Sequence, residues 1–211
     1  MTRLILVRHG ESQANLDALV AGHYDVPLSA LGMTQAKETA EHLASERIDA
    51  VYSSDLCRAS ATAKPHAELR GLPVVEMREL REMNCGRWEG KSFAELEEKE
   101  YELYANGFRD HFFGFQMPEG ESADECGQRF YHAALQIAKK HEGKTVLIAS
   151  HGAVIRSFWA IIRGLSHEEA DATQPYPSNA SYSVAEFDGA RFYPVEFSHD
   201  SHLSVATHLH I

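Results

Sequence analysis

Short apolar runs alternate with helical periodicities along the whole chain, and this alternation limits the fold more than any other feature. The segments "RLILVR" (3–8), "DAVYSS" (49–54), "KTVLIAS" (144–150), "SYSVAEF" (181–187) and "RFYPVEF" (191–197) are rich in β-branched and aromatic residues and bounded by turn formers. A weaker strand candidate lies in "LPVVEM" (72–77). Helical patterns fill the gaps: "SALGMTQAKETAEHLASER" from the N-cap candidate Ser29, "LCRASATAKPHAEL" after Asp55, "SADECGQRFYHAALQIAKKH" from Ser122, and "AVIRSFWAII" after Gly152. This order predicts an α/β three-layer sandwich, with a mainly parallel central sheet and helices on both faces. The last two strands, separated by "DGA" at Asp188–Ala190, predict an antiparallel hairpin at one edge.

A chain of 211 residues with 44% hydrophobic content suffices for one sizeable core and is short for two, so residues 1–211 are read as a single domain. No apolar run is long enough to span a bilayer, and "MTRLILVRHGE" reaches charge too early for a signal peptide, so the expected location is cytoplasmic. A net charge of -11 argues against nucleic acid or an anionic membrane as partner, because either needs a basic face. Cys57, Cys85 and Cys126 form no C-x-x-C pair and are read as reduced thiols. The tail "THLHI" sets His208 and His210 two apart with no third ligand evident, so no metal is expected there.

In sheets of this kind, ligands bind where strands end and helices begin. Arg8, His9 and Gly10 end the first strand; Ser150, His151 and Gly152 end "KTVLIAS". Arg58 falls in the first turn of the helix after "VYSSD". An imidazole among arginines at a helix N-terminus suits phosphoryl chemistry: the arginines bind phosphate oxygens, the helix end adds N–H donors, and the neutral ring of His9 can act as nucleophile. Gly10 would let the backbone approach the phosphate closely.

With "RHGESQAN" from Arg8, "AGHYDVPLSALGMTQA" from Ala21, "SSDLCRASATA" from Ser53, "LREMNCGRWEGKS" from Leu80, "PEGES" from Pro118, "SHGAVIR" from Ser150 and "NASYSVAEFDG" from Asn179, the sequence resembles the histidine phosphatase superfamily, in its phosphoglycerate mutase-like branch. The resemblance implies that His9 is the phosphorylated nucleophile, that Arg8, Arg58 and His151 form the phosphate pocket, and that Glu82 is the general acid and base. On the residues alone, Glu76, Glu79, Glu82 and Glu89 all compete for that last role. Asn15, Ala21, Gly22 and Gly152 are expected substrate contacts. No cofactor or metal is implied, and the expected partner is a small phosphorylated metabolite; a homodimer is left open.

The branch contains mutases and phosphatases. Mutases carry a longer stretch after the acid, with two adjacent arginines that retain a bisphosphorylated intermediate. Here residues 91–119, read as a lid-like helical insertion, hold Glu95, Glu97, Glu98, Glu100 and Glu102 and no such pair, and Cys85 stands where the mutases usually have tyrosine. These features favour a metal-independent phosphomonoester hydrolase over a cofactor-dependent phosphoglycerate mutase. "WEG" at Trp88 resembles broad-specificity and alpha-ribazole phosphatases alike. Phe108, Phe112, Phe113, Phe115 and Met117 either line the pocket or pack the insertion onto the domain. A metal hydrolase built on His9, Glu11 and His23 lacks a dense ligand set, and a non-catalytic relative would usually have lost the nucleophile or the acid.

Overall fold

A computed structural model describes residues 1–208 of the chain. Its centre is a six-stranded sheet in the order β3-β2-β4-β1-β5-β6, made of β1 (Thr2–Arg8), β2 (Ala50–Ser54), β3 (Val74–Met77), β4 (Thr145–Ser150), β5 (Tyr182–Phe187) and β6 (Phe192–His199). The first four strands of that order run parallel, while β5 pairs antiparallel with β1 and with β6. The expected edge hairpin is therefore present. The weak strand candidate is the opposite edge, β3, whose middle residues Val75 and Glu76 are exposed. A strand with solvent on much of its surface has little need of the apolar pattern that marks the others.

The helices are α1 (Gln13–Leu16), α2 (Ala30–His42), α3 (Cys57–Glu68), α4 (Phe93–Lys99), α5 (Tyr101–Leu103), α6 (Ala123–Lys140), α7 (Gly152–Arg163) and α8 (His167–Thr173). Ser29 caps α2 at the Gly32 N–H, and Ser122 caps α6 in a reciprocal box with Glu125. Strand alternation divides the core in two. Leu4, Leu6, Val146 and Ile148 pack against Phe130 and Ile137 of α6 and Val154 and Phe158 of α7. Ile5, Val7, Leu147 and Ala149 face the other way, onto Leu43, Ala63 and Ala67 beside α2 and α3. This is the expected three-layer sandwich.

Between α4 and α6 the backbone stays helical but broken, with a π-helical stretch at Tyr104–Arg109 and a 3-10 turn at Phe112–Gly114. Among the described residues no helix is long and apolar enough to cross a membrane. Of the tail pair, His210 lies outside the described residues, and His208 Nδ1 sits 3.1 Å from the Ser178 hydroxyl.

Candidate active site

Parallel pairing sets Arg8 of β1 beside Ser150 of β4, and the His9 N–H donates to the Ser150 carbonyl at 2.9 Å. The two His-Gly turns therefore leave the sheet as neighbours, with the His9 and His151 rings edge-on at 5.2 Å between centroids. β2 lies on the far side of β4 and delivers Arg58 at the start of α3. β3 leads through the turn Arg78–Leu80 to Glu82, and the Ser150 hydroxyl fastens that turn by donating to the Leu80 carbonyl at 2.8 Å.

His9 Nδ1 lies 2.7 Å from the Gly10 carbonyl oxygen. A carbonyl only accepts, so Nδ1 carries the proton and Nε2 keeps its lone pair. Burial, then Arg58 and Arg8, hold the His9 pKa well below the usual histidine value, so the ring is neutral and nucleophilic at neutral pH. The side-chain amide of Asn179 and the Ala180 N–H both donate to the His9 carbonyl, at 3.2 and 3.1 Å.

Both arginines are buried and anchored at their tips: Arg8 Nη1 donates to the Pro177 carbonyl, and Arg58 Nη1 and Nη2 to the carbonyls of Tyr24 (3.2 Å) and Gly22 (2.8 Å). Their Nε atoms, and both ring nitrogens of His151, have no hydrogen-bond partner among the described residues. Burial lowers the Arg8 pKa to about 10 and pushes His151 well below its usual value. Buried cationic donors with no acceptor are costly, and an anion bound among them would remove that cost.

Glu82 departs from expectation in one respect. Its Oε1 accepts the Met83 and Val154 N–H groups (2.9 and 3.0 Å) and its Oε2 the Ala153 N–H (3.2 Å). The first turn of α7 thus holds the carboxylate, and these N–H donors are not directed at a phosphate. Gly10 also serves another purpose: a Cβ there would collide with the Gly32 carbonyl of α2, so the glycine permits a close backbone crossing.

Eight of the nine expected site residues, Arg8, His9, Asn15, Ala21, Gly22, Arg58, Glu82 and Gly152, line one cavity of about 60 Å³. The ninth, His151, is fully buried against His9. Asn15 Oδ1 accepts from the Ser12 N–H and hydroxyl and from Asn179 Nδ2 (3.0, 3.0 and 3.1 Å), which fixes the amide plane and leaves its own Nδ2 without a partner among the described residues. Gly22 turns at a φ of 51°, where a Cβ would strike the Glu89 carboxylate. Of the aromatic stretch, only Phe108 reaches the cavity wall, joined by Phe93. Phe112, Phe113 and Met117 are buried in the core, and Phe115 stacks on Trp88 at 5.6 Å.

Two residues at the site carry no sequence signal of their own. Tyr176 lines the cavity, its ring 4.7 Å from the Arg156 guanidinium. Arg129 of α6 grips the Glu82 loop, donating to the carbonyls of Glu79 (2.8 Å), Arg81 (2.9 Å) and Glu82 (3.0 Å) while paired with Glu121 at 2.7 Å. The trio His9, Glu11 and His23 does not assemble: Glu11 accepts from Ser29 Oγ at 2.6 Å, and the His23 ring meets the Glu82 carbonyl at 2.8 Å.

Known proteins are similar to this chain in sequence and in architecture. The chain is 36% identical over 207 residues to the metal-independent phosphoserine phosphatase of Arabidopsis thaliana, a match covering 97% of this chain and 84% of that one. It is 34% identical to the probable phosphoglycerate mutase GpmB of Yersinia pestis, over 80% of this chain and 79% of that one. The structure of Bacillus stearothermophilus YhfR superposes with a TM-score of 0.90 at 29% identity, covering 97% of this chain and 100% of the other. The profile of the histidine phosphatase superfamily (branch 1) matches residues 4–200, and the chain belongs to that family as a phosphatase.

Proposed function

We propose that His9 Nε2 attacks the phosphorus of a small phosphomonoester, forming a P–N bond as the ester P–O bond breaks, and that the Glu82 carboxyl gives its proton to the departing alkoxide. Water then attacks phosphorus, the P–N bond breaks, and Glu82 takes the water's proton. Arg8, Arg58 and His151 hold the phosphoryl oxygens. The observation that carries this reading is the set of donors without a partner among the described residues, Arg8 Nε, Arg58 Nε and the His151 ring, around an imidazole whose tautomer already frees Nε2.

Hydrolysis is favoured over phosphoryl transfer by the fate of the nearby cations. Lys91, Lys99 and Arg109 are each paired with an acid of the same stretch, Glu100 (3.0 Å), Glu95 (3.2 Å) and Glu97 (3.2 Å). Among the described residues, Arg8 and Arg58 are the only arginines or lysines on the cavity wall. A second phosphate has no further cation to hold it, so water completes the cycle. Residues 91–119 serve as a lid: Phe93 and Phe108 close the wall, and the Leu19–Ser92 bridge ties the stretch to the loop bearing Ala21 and Gly22.

The test is a panel of phosphoserine, 3-phosphoglycerate, alpha-ribazole phosphate and nucleotide monophosphates, assayed for inorganic phosphate with and without EDTA. Hydrolysis of at least one ester, unchanged by EDTA, is expected. Interconversion of 2- and 3-phosphoglycerate with the bisphosphate added, faster than phosphate release, would overturn the choice of phosphatase.

A further inference from the structure

Away from the cavity, His42 at the end of α2, His199 at the end of β6 and His202 in the turn beyond it bring ring nitrogens to within 4.8 Å of one another. The ring planes are nearly parallel, with centroids 4.7 Å apart for His42 and His202 and 5.8 Å for His199 and His202, and the Tyr182 ring lies 4.8 Å from His199. The surrounding hydrogen bonds fix two of the tautomers. The Thr39 hydroxyl has one proton, which goes to a backbone carbonyl, that of Ala180 at 2.8 Å or Gln35 at 3.0 Å. Its oxygen, 2.9 Å from His202 Nε2, must therefore accept from Nε2–H. His202 Nδ1 is then an unprotonated lone pair, and it is buried without a partner among the described residues. His199 Nδ1 faces the Glu196 carboxylate at 2.8 Å and is the protonated nitrogen, so Nε2 carries the lone pair, met among the described residues by the Ser201 hydroxyl at 3.0 Å.

Clustered imidazole lone pairs, one of them buried and without a donor among the described residues, are stabilised by a Lewis acid. A carboxylate behind one ring and a hydroxyl behind another are the outer contacts that orient histidine ligands on a metal. We propose that His42, His199 and His202 bind a divalent transition-metal ion, with Zn²⁺ the fitting probe, at a site separate from the phosphatase centre. Imidazole donors suit zinc, copper and nickel, and three of them leave a fourth position for water. Tetrahedral zinc needs nitrogens about 3.4 Å apart, inside the present limit of 4.8 Å, so binding would draw the three side chains together by rotation. The ion would tie α2 to β6.

The experiment uses untagged full-length protein, stripped with chelator and dialysed against Zn²⁺. One zinc per chain is expected by elemental analysis, with a rise in melting temperature. His42→Ala removes an exposed side chain, so its folding is not at risk, and it should lose both effects; Glu196→Gln should weaken binding about 10–100-fold. His132→Ala and Cys57→Ser should change neither effect. Zinc retained undiminished by His42→Ala, zinc displaced from the wild type by vanadate, or no stoichiometric binding at all would each overturn the proposal. Phosphatase activity of the stripped protein is measured in parallel, so that failure of this site and failure of the catalytic reading give different results.

Discussion

Glu82→Gln keeps the shape of the side chain but not its chemistry, and the structure sets what each loss should be. The carboxylate accepts three backbone N–H groups, two at Oε1 and one at Oε2. A glutamine with its oxygen at the first position turns its NH2 toward the Ala153 N–H, donor against donor. That unsatisfied contact should cost about 1–3 kcal/mol of stability. Loss of a general acid and base should lower turnover about 10²–10⁴-fold, equivalent to about 2.7–5.4 kcal/mol in the barrier. The kinetic loss should therefore exceed the structural one. Leaving groups separate them further. Nitrophenolate departs without a proton, so its phosphorylation step should survive the substitution better than that of an alkyl phosphate, while dephosphorylation stays slow with both. Rapid quenching into base should trap an alkali-stable, acid-labile phosphohistidine in the variant. Equal losses in the phosphorylation step for both substrates, with dephosphorylation at the wild-type rate, would mean that Glu82 only caps α7, and the assignment would fail.

His9→Ala should abolish the phosphoenzyme, because His151, the imidazole beside it, holds the phosphoryl oxygens rather than displacing the leaving group; a phosphohistidine trapped in that variant would refute the assignment of the nucleophile. Arg129 lies outside the cavity wall, so Arg129→Met should act only through the Glu82 loop, lowering kcat for alkyl esters by up to about 100-fold while leaving phosphorylation by nitrophenyl phosphate largely intact. Equal losses for the two substrates would remove Arg129 from that positioning role. His66 is fully buried, with neither ring nitrogen partnered among the described residues, and burial pushes its pKa to about 3. Below about pH 6.5 the unfolded chain takes up a proton that the folded chain refuses, so stability should fall from there toward pH 3 by up to about 1.4 kcal/mol per unit. His66→Leu should flatten this slope in denaturant titrations, and an unaltered slope would refute the account.

What the sequence made legible follows from which physical demands are local. Strands buried on both faces must be apolar, so β1, β2 and β4 announce themselves, whereas β3, exposed at an edge, does not. Phosphoryl chemistry needs arginines and an imidazole at strand ends, and parallel sheets gather strand ends together, so Arg8, His9, Arg58 and His151 could be named before their contacts were known. The choice among four glutamates was not local. Glu89 accepts the His23 and Cys85 N–H groups at 2.8 and 3.1 Å, Glu76 accepts the Ser60 hydroxyl at 2.7 Å, and Glu79 lies exposed, which leaves Glu82 at the cavity.

The residues that escaped the sequence act across long separations and have ordinary identities. An arginine seven residues into an amphipathic helix looks like a solvated face, yet Arg129 closes three carbonyls of a loop nearly fifty residues away. The histidine before Gly10 marks it as a phosphate contact, and nothing in the sequence marks its second constraint, the close crossing with Gly32 on another element. The same logic applies to His42, His199 and His202: no spacing rule joins the end of a helix to a turn about 160 residues later, and only the hydrogen bonds around Thr39 and Glu196 reveal which nitrogens are bare. Residue type thus indicates the chemistry a chain can do at its strand ends, while the groups that aim that chemistry become visible only when every buried donor and acceptor is accounted for.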